Sequence, residues 1–463
     1  MALNSNTSKL ISLLLGPLAF ATIKFLEIDE LSYEGQAVLA TTAWVAIWWI
    51  TEAVELEVTS LVPLVLLPLS GGLEISDVAA SYGHVYIFLF MGGFVIGLAI
   101  ERWHLHQRIA FSIIHAIGFS SKKVILGFMV ATAFLSMWIS NTATSVMMLP
   151  IALSVVNSSK GNEKFGKSLL LGLAYSASIG GMATLIGTPP NIVFAGVMKD
   201  SLDFEVPFGQ WMLFALPFSI LLLIICWFYL TRGLSKEETL KVELPELGKI
   251  TTPQKRVAMV FAFIALLWIT RSFVLNHFFP QINDTIIAMF GAVILFLIPA
   301  GKEGENLMNW DTAKKLPWGV LLIFGAGLAI AKGFSSTDLT FWLAGQFETL
   351  NFLPVILIVL VITASINFLT EITSNTATAS MILPLLITLA AALDITPMTL
   401  LVSAALASSC AFMLPVATPP NAVIFSSGKI RIGEMIRAGV WLNLISILII
   451  FCFVWLVLPL IFG

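Results

Sequence analysis

The sequence predicts an all-α polytopic membrane protein, built as an inverted repeat of eleven transmembrane helices and two re-entrant hairpins. Three observations predict this fold: the composition is highly apolar, the pentapeptide SNTAT occurs twice, and the basic residues are concentrated in alternate linkers. Of the 463 residues, 58% are hydrophobic and 11% are charged, which lies outside the range of soluble domains. Because one crossing takes about 20 apolar residues, the apolar stretches suffice for many spans.

Hydropathy along the chain locates the predicted spans. Two apolar runs, 123–156 and 353–393, are too long for one helix, and each contains SNTAT near its middle, at 140–144 and 374–378. The remaining apolar stretches are predicted to be eleven transmembrane helices, at about 10–26, 36–54, 57–69, 85–100, 168–199, 209–231, 257–275, 285–300, 319–332, 398–427 and 438–461.

The basic residues predict how these spans are oriented. One set of linkers holds 19 of the 24 Lys and Arg residues: 101–123, 157–167, 232–256, 301–318 and 428–437. A second set holds none: 27–36, 70–84, 200–208, 276–284, 333–352 and 394–397. The positive-inside rule places the first set in the cytoplasm. The chain is therefore predicted to be a multi-pass protein of the cell inner (plasma) membrane, with its N-terminus in the cytoplasm and its C-terminus outside.

The same rule predicts that neither long run crosses the membrane. Run 123–156 has basic linkers on both sides, whereas the linkers flanking 353–393 lack basic residues. The first run is therefore predicted to be a re-entrant hairpin from the cytoplasm and the second a re-entrant hairpin from outside, each with SNTAT at a tip near mid-membrane. Non-helical backbone at that depth persists only when it is buried in protein or lines a watery cavity.

Each hairpin belongs to a longer repeated unit. The tetrapeptide GLAI precedes the hairpins, at 97–100 and 327–330, and TPPN follows them, at 188–191 and 418–421. The charges give the two units opposite orientations, and inverted repeats with discontinuous helices are typical of secondary transporters. Consecutive prolines are predicted to open a helix and leave carbonyls free. A helix that restarts after Ser-Asn-Thr is predicted to offer unpaired N–H groups to an anion.

These motifs carry a family resemblance. The paired SNT and TPPN motifs, with Trp-Ile-Thr-Glu-Ala at 49–53, resemble the divalent anion/sodium symporter family of di- and tricarboxylate transporters over essentially the whole chain. The resemblance implies a homodimer among membrane lipids that imports C4 dicarboxylates with sodium ions, without an organic cofactor or nucleic acid. It also implies an elevator mechanism, with scaffold helices in 1–122, a cytoplasmic linker and scaffold helices in 233–352, and the moving transport domain in 123–232 and 353–463.

The resemblance also implies functional residues, carried over by motif. The implied substrate-binding residues are Ser140, Asn141, Thr142, Thr188, Ser374, Asn375, Thr376, Thr418 and Pro419. One implied sodium site takes oxygens from Ser136, Ser140, Asn141 and Gly187, and the other from Thr370, Thr373, Asn375 and Ala417.

Several alternatives stay open at this point. A sodium-independent dicarboxylate exchanger, or a citrate or sulfate carrier, would present the same motifs. An ion channel is another class of function, but the chain shows no selectivity-filter motif. The tips carry no nucleophile–histidine pair, metal cluster or phosphate loop, so the protein is predicted not to be an enzyme. Glu371, beside the second tip, is either a proton or cation site or a brace that accepts backbone hydrogen bonds.

Overall fold

The structure is a computed structural model that describes residues 5–159, 162–234, 248–301, 304–347 and 353–462. Parts of the linkers 157–167, 232–256, 301–318 and 333–352 lie outside these residues. Four of the basic residues that predict the orientation also lie outside them: Lys160, Lys236, Lys241 and Lys302.

The described residues form 24 α-helices and one short π-helical segment. The first half of the chain contributes α1 (Ser5–Phe25), α2 (Tyr33–Thr51), α3 (Leu56–Thr59), α4 (Val62–Leu69), α5 (Ile75–Tyr82), α6 (Val85–Arg102), α7 (Leu105–Ile117), α8 (Ser121–Ser136), α9 (Asn141–Ser158), α10 (Glu163–Gly181), α11 (Pro189–Leu202) and α12 (Phe208–Thr231).

The second half of the chain is also helical. It contributes α13 (Thr252–Thr270), the π-helical segment Arg271–Leu275, α14 (Asn276–Phe278), α15 (Asp284–Leu297), α16 (Trp310–Ala313), α17 (Trp318–Ser336), α18 (Leu339–Phe347), α19 (Val355–Leu369), α20 (Asn375–Ala392), α21 (Pro397–Ser409), α22 (Pro419–Phe425), α23 (Ile432–Leu456) and α24 (Leu458–Phe462).

The helices agree with a multi-pass membrane protein. Within the described ranges, six helical stretches are long and apolar enough to cross a membrane, judged by length and composition: Ile75–Arg102, Phe208–Thr231, Thr252–Phe278, Trp318–Ser336, Asn375–Ala392 and Ile432–Leu456. The predicted single span at 57–69 differs from the structure, because α3 and α4 are separate helices there. Pro63 near the start of α4 has no N–H to donate to the preceding turn, so the helix is interrupted before it.

Two units of the fold are built alike. In each, a helix–loop–helix that contains SNT is followed by an interrupted helix: α8 and α9 then α10 and α11 in the first unit, α19 and α20 then α21 and α22 in the second. The interruptions cover residues 182–188 and 410–418. In both units the Thr of TPPN is the N-cap residue, and the first proline begins the new helix, where a missing N–H costs nothing.

The glycines of the two GLAI motifs allow close packing against these units. A Cβ on Gly97 of α6 would lie 3.2 Å from the carbonyl oxygen of Trp138, in the loop of the first unit. A Cβ on Gly327 of α17 would lie 2.7 Å from the Cβ of Ser380 in α20. Each glycine therefore lets the helix before a unit approach the helix–loop–helix of that unit at backbone distance.

Candidate functional site

The two SNT loops and the two TPPN interruptions meet at one cavity of about 920 Å³. All nine residues implied to bind substrate lie on its wall, together with Gly187 and Ala417 from the implied sodium sites. Residues more than 230 positions apart in sequence are thus brought to one place. The volume lies within the range typical of small-molecule sites.

The helices after the two SNT loops begin two residues earlier than the sequence predicts. Instead of restarting after Ser-Asn-Thr, α9 begins at Asn141 and α20 at Asn375. Ser140 and Ser374 are the N-cap residues, and their carbonyls accept from the amides of Thr144 (2.9 Å) and Thr378 (2.8 Å). The Asn and Thr of each SNT therefore stand in the first turn, where backbone N–H groups have no partner inside the helix.

Each tip asparagine is oriented by a hydroxyl from the preceding helix. The Ser136 hydroxyl donates to Asn141 Oδ1 (2.5 Å), and the Thr370 hydroxyl donates to Asn375 Oδ1 (2.7 Å). Each hydroxyl also contacts a carbonyl oxygen of the helix before the interruption in its own unit: Ser136 contacts that of Ala177, and Thr370 contacts that of Ser408. Two implied sodium ligands, Ser136 and Thr370, are thus buried behind the asparagines and do not line the cavity wall.

Two oxygens of the first implied sodium site come together at Gly181. A Cβ on Gly181 would lie 2.6 Å from Asn141 Oδ1 and 2.9 Å from the carbonyl oxygen of Gly187. A small residue at 181 is therefore required for these two oxygens to approach each other. Clustered carbonyl and amide oxygens are suitable donors for a small hard cation.

Thr373 is placed differently from the other implied ligands. Its hydroxyl contacts the hydroxyl of Thr378 (2.6 Å) and the carbonyl oxygen of Leu369 (2.9 Å). The side chain is buried and does not belong to the cavity wall. In this conformation its hydroxyl stabilises the second loop. Thr373 could bind a cation only through its backbone carbonyl, or through its hydroxyl after a change of side-chain rotamer.

The interrupted segments do not leave their carbonyls as free as predicted. The Asn191 amide nitrogen lies within hydrogen-bond distance of the carbonyl oxygens of Gly181 (3.4 Å), Met182 (3.0 Å) and Thr184 (2.7 Å). In the second unit the Asn421 amide nitrogen donates to Ala411 O (3.1 Å) and Leu414 O (3.0 Å). The asparagine of each TPPN therefore donates to carbonyls that the helix break leaves without a helical partner. The sequence does not predict these bonds, because they form only in the folded chain.

Comparison with known proteins identifies the family. The sequence profile of the sodium:sulfate symporter transmembrane region matches residues 7–461. The chain belongs to the sodium:sulfate symporter family. This match confirms the resemblance to divalent anion/sodium symporters. It also confirms that the protein is a transporter and not an enzyme.

Curated relatives of this symporter family member cover nearly the whole chain. The sodium-dependent dicarboxylate transporter SdcS of Staphylococcus saprophyticus subsp. saprophyticus is 45% identical over 484 residues, which cover 99% of this chain and 93% of that protein. SdcS of Staphylococcus aureus strain USA300 is 46% identical over 482 residues, with the same two coverages.

Two solved structures share the fold of this symporter family member. The YdaH transporter of Alcanivorax borkumensis gives a TM-score of 0.59 at 13% identity, covering 83% of this chain and 88% of that one. MtrF of Neisseria gonorrhoeae, described as illuminating a class of antimetabolite efflux pumps, gives 0.58 at 11% identity, with coverages of 94% and 96%. At these identities the similarity is one of fold.

Glu371 braces the second interrupted segment of this symporter. Its carboxylate, 2% exposed, accepts from the backbone amides of Phe412 (2.7 Å), Met413 (2.9 Å) and Leu414 (3.0 Å). The Asn443 side-chain amide donates to the same carboxylate (2.7 Å). All four neighbours are donors and the group does not line the cavity, so the bracing alternative fits the structure. At the equivalent position the first unit has Met137.

The sequence missed part of the cavity wall. Three carboxylates, Glu52, Glu57 and Glu101, and the ammonium group of Lys315 belong to it. Glu52 and Glu57 lie at the ends of predicted spans, and Glu101 and Lys315 lie in predicted linkers. Nothing in a linear pattern shows that these segments converge. Glu101 and Lys315 belong to linkers with a predicted cytoplasmic location, so this part of the wall is predicted to face the cytoplasm.

Proposed function

We propose that this protein is a secondary active transporter that imports C4 dicarboxylates of the succinate, malate and fumarate class, coupled to sodium ions. The observation that carries the proposal is the convergence of four helix N-termini on one cavity: those of α9, α11, α20 and α22. All four termini present the positive end of a helix dipole, which favours carboxylates. Those of α9 and α20 also present unpaired N–H groups, whereas α11 and α22 begin with two prolines that have no N–H.

The duplication of the site favours a substrate with two acidic groups. Each unit supplies one SNT tip and one TPPN threonine, so each can bind one carboxylate of a dicarboxylate. Neither motif contains Arg or Lys, so cations are needed to offset the charge of a dianion. Sodium bound between each tip asparagine and the neighbouring carbonyl, Gly187 or Ala417, would supply that charge. The names of the relatives, sodium-dependent dicarboxylate transporters, support this coupling.

A competition experiment tests the substrate class. We expect labelled succinate to enter proteoliposomes under an inward sodium gradient, and malate and fumarate in tenfold excess to suppress that uptake. Citrate and sulfate at the same excess are expected to compete at least about tenfold more weakly. Suppression by sulfate or citrate at concentrations where malate is ineffective would reject the C4 assignment and favour another substrate.

The orientation of the second helix–loop–helix unit is tested by cysteine labelling. We propose that α19 and α20 form a hairpin that enters from outside and leaves by the same face. Ser336 and Asp394 flank the unit and are exposed, whereas exposed Lys164 follows the first unit. In a cysteine-free background we expect Ser336→Cys and Asp394→Cys to react with an impermeant maleimide only from outside, and Lys164→Cys only from the cytoplasm. Labelling of the two flanks from opposite faces would show that the unit crosses.

We also propose an elevator movement between the two predicted domains. The cavity wall combines scaffold residues such as Phe90, Phe94 and Val320 with the tips of the transport segments. Because Glu101 and Lys315 of predicted cytoplasmic linkers lie on its wall, we propose that the cavity opens to the cytoplasm in this state. On the opposite side, His84 Nε2 of the scaffold contacts the Asp200 carboxylate of the transport segment at 3.0 Å. Outward opening would break this contact.

Cross-linking that contact tests the movement. We expect the pair His84→Cys and Asp200→Cys, bridged by a short bifunctional thiol reagent, to lose uptake and to regain it when the bridge is reduced. The matched control pair is Ser32→Cys and Asp338→Cys, since both residues lie in predicted scaffold segments and the Ser32 amide donates to Asp338 (2.9 Å). Bridging the control is expected to preserve uptake. Full uptake with the 84–200 bridge closed would contradict the elevator movement.

A further inference from the structure

The fourth residue of each TPPN motif makes the same set of contacts in both units. Asn191 reaches back 10 and 7 residues to the carbonyls of Gly181 and Thr184, and Asn421 reaches back 10 and 7 residues to those of Ala411 and Leu414. Asn191 has one more carbonyl, that of Met182, at 3.0 Å. A contact pattern repeated in two units points to a requirement of the site that both units share.

These asparagines do not face the substrate. Both are 0% exposed, and neither lies on the cavity wall. They differ in this from the threonine and first proline of the same motifs, which line the cavity in both units. The motif therefore divides into a half that faces the cavity and an asparagine that faces the interrupted backbone.

The interrupted segments need such a clamp for a physical reason. A backbone carbonyl released from helical hydrogen bonding and buried without a donor costs free energy, so an unclamped segment would shift or rewind. Gly187 and Ala417 lie at the ends of these segments, three residues after Thr184 and Leu414. Fixing the carbonyls at the start of each segment therefore fixes where the carbonyls at its end point.

We infer that Asn191 and Asn421 are the positioning residues of the two sodium sites: each side-chain amide clamps one interrupted segment so that the Gly187 or Ala417 carbonyl is aimed at the cation. This inference rests on the proposed sodium coupling. It makes neither asparagine a ligand, and it predicts that loss of a clamp affects sodium before it affects the fold.

The two clamps are expected to differ in strength. In the second unit the Glu371 carboxylate holds residues 412–414 in addition to Asn421. In the first unit the further restraints are the Thr184 hydroxyl, which donates to the Met137 carbonyl (2.6 Å), and the Trp211 indole, which donates to the Met182 carbonyl (3.1 Å). Because its segment has no carboxylate brace, the first sodium site depends more on Asn191 than the second depends on Asn421.

Sodium dependence of uptake provides the first test. Asn191→Asp and Asn421→Asp keep the size of the side chain but replace the donating NH2 group by an oxygen. We expect the sodium concentration for half-maximal uptake to rise at least tenfold in Asn191→Asp and about fivefold in Asn421→Asp. If these variants do not reach the membrane, Asn191→Gln and Asn421→Gln are tested instead. We expect them to raise the sodium concentration for half-maximal uptake by smaller factors, with the larger rise again in the residue 191 variant.

A matched control separates positioning from a general packing defect. Thr42→Val removes another buried side-chain hydrogen bond to a backbone carbonyl, that of Val38 (2.8 Å), in α2 and away from the cavity wall. We expect it to keep wild-type sodium dependence. Half-saturation by sodium within twofold of wild type in both asparagine variants, or the same shift in Thr42→Val, would overturn the inference.

A second readout does not depend on transport. Cys410 is 0% exposed and begins the second interrupted segment, beside the clamped Ala411 carbonyl. With Cys226 and Cys452 replaced by serine, we expect Asn421→Asp to raise the rate of Cys410 labelling by a permeant maleimide at least fivefold, and Thr42→Val to leave it unchanged. An unchanged rate in Asn421→Asp rejects the clamp. Sodium-independent uptake by the wild type would reject the proposed coupling instead, and the labelling result would still stand by itself.

Discussion

Replacement of either tip asparagine by alanine is expected to reduce dicarboxylate uptake by at least about 100-fold, with the amount of folded protein in the membrane unchanged. Asn141 and Asn375 stand in the first turns of α9 and α20, on the cavity wall, with Oδ1 held by the Ser136 and Thr370 hydroxyls. Each would serve the substrate with its amide and a cation with its oxygen. Loss of two contacts to charged ligands, at about 1.5–3 kcal/mol each, accounts for such a factor.

The measurement is the initial rate of labelled succinate uptake, normalised to purified transporter. Asn157→Ala is the matched control. It is the same substitution on the same helix, α9, but Asn157 is exposed and does not line the cavity. We expect wild-type uptake from it. Uptake above one tenth of the wild-type rate in both Asn141→Ala and Asn375→Ala would show that these asparagines are not binding residues of the site.

Loss of the Glu371 carboxylate is expected to have the second large effect, on stability as well as uptake. Glu371→Ala would leave three backbone amides, one buried and two part-buried, and the buried Asn443 side chain without their acceptor. At about 1–3 kcal/mol for each buried unsatisfied donor, the total is several kcal/mol. We expect little folded transporter from this variant. Glu371→Gln keeps one acceptor oxygen and is expected to fold with a lower melting temperature.

A graded series distinguishes the brace from the alternative role in proton or cation binding. Asn443→Leu removes a single donor to Glu371 and is expected to lower the melting temperature less than Glu371→Gln does. The melting temperature in detergent, without sodium, is the readout. A Glu371→Gln protein with wild-type melting temperature but altered pH dependence of uptake would show that the carboxylate carries a proton and does not brace the segment.

Much of this arrangement was accessible from the sequence because it is repeated. The spacing between the two copies of SNTAT, and between the two copies of TPPN, predicts two equivalent units, and all nine implied substrate residues lie on one cavity wall. The two Pro-Pro pairs predict that a helix is broken in each unit, and the structure shows that the helices restart at Pro189 and Pro419, where proline is preferred in the first turn. The roles of these residues in binding stay a proposal.

Other features depend on contacts that only the folded chain makes. The start of α9 and α20 at asparagine reflects the N-cap geometry of Ser140 and Ser374 and lies two residues before the predicted restart. The clamps of Asn191 and Asn421 depend on the backbone folding back over 7 to 10 residues. The cavity wall combines Glu52, Glu101 and Lys315 from three separate segments of the chain, whose approach no local pattern reveals.

Sodium coupling of dicarboxylate uptake is tested most directly in proteoliposomes that are either empty or preloaded with unlabelled dicarboxylate. We expect labelled succinate to accumulate against its gradient in empty liposomes when sodium is high outside, and replacement of sodium by choline to abolish accumulation. Uptake that ignores sodium but requires internal dicarboxylate would contradict this coupling and identify an exchanger that uses the same site.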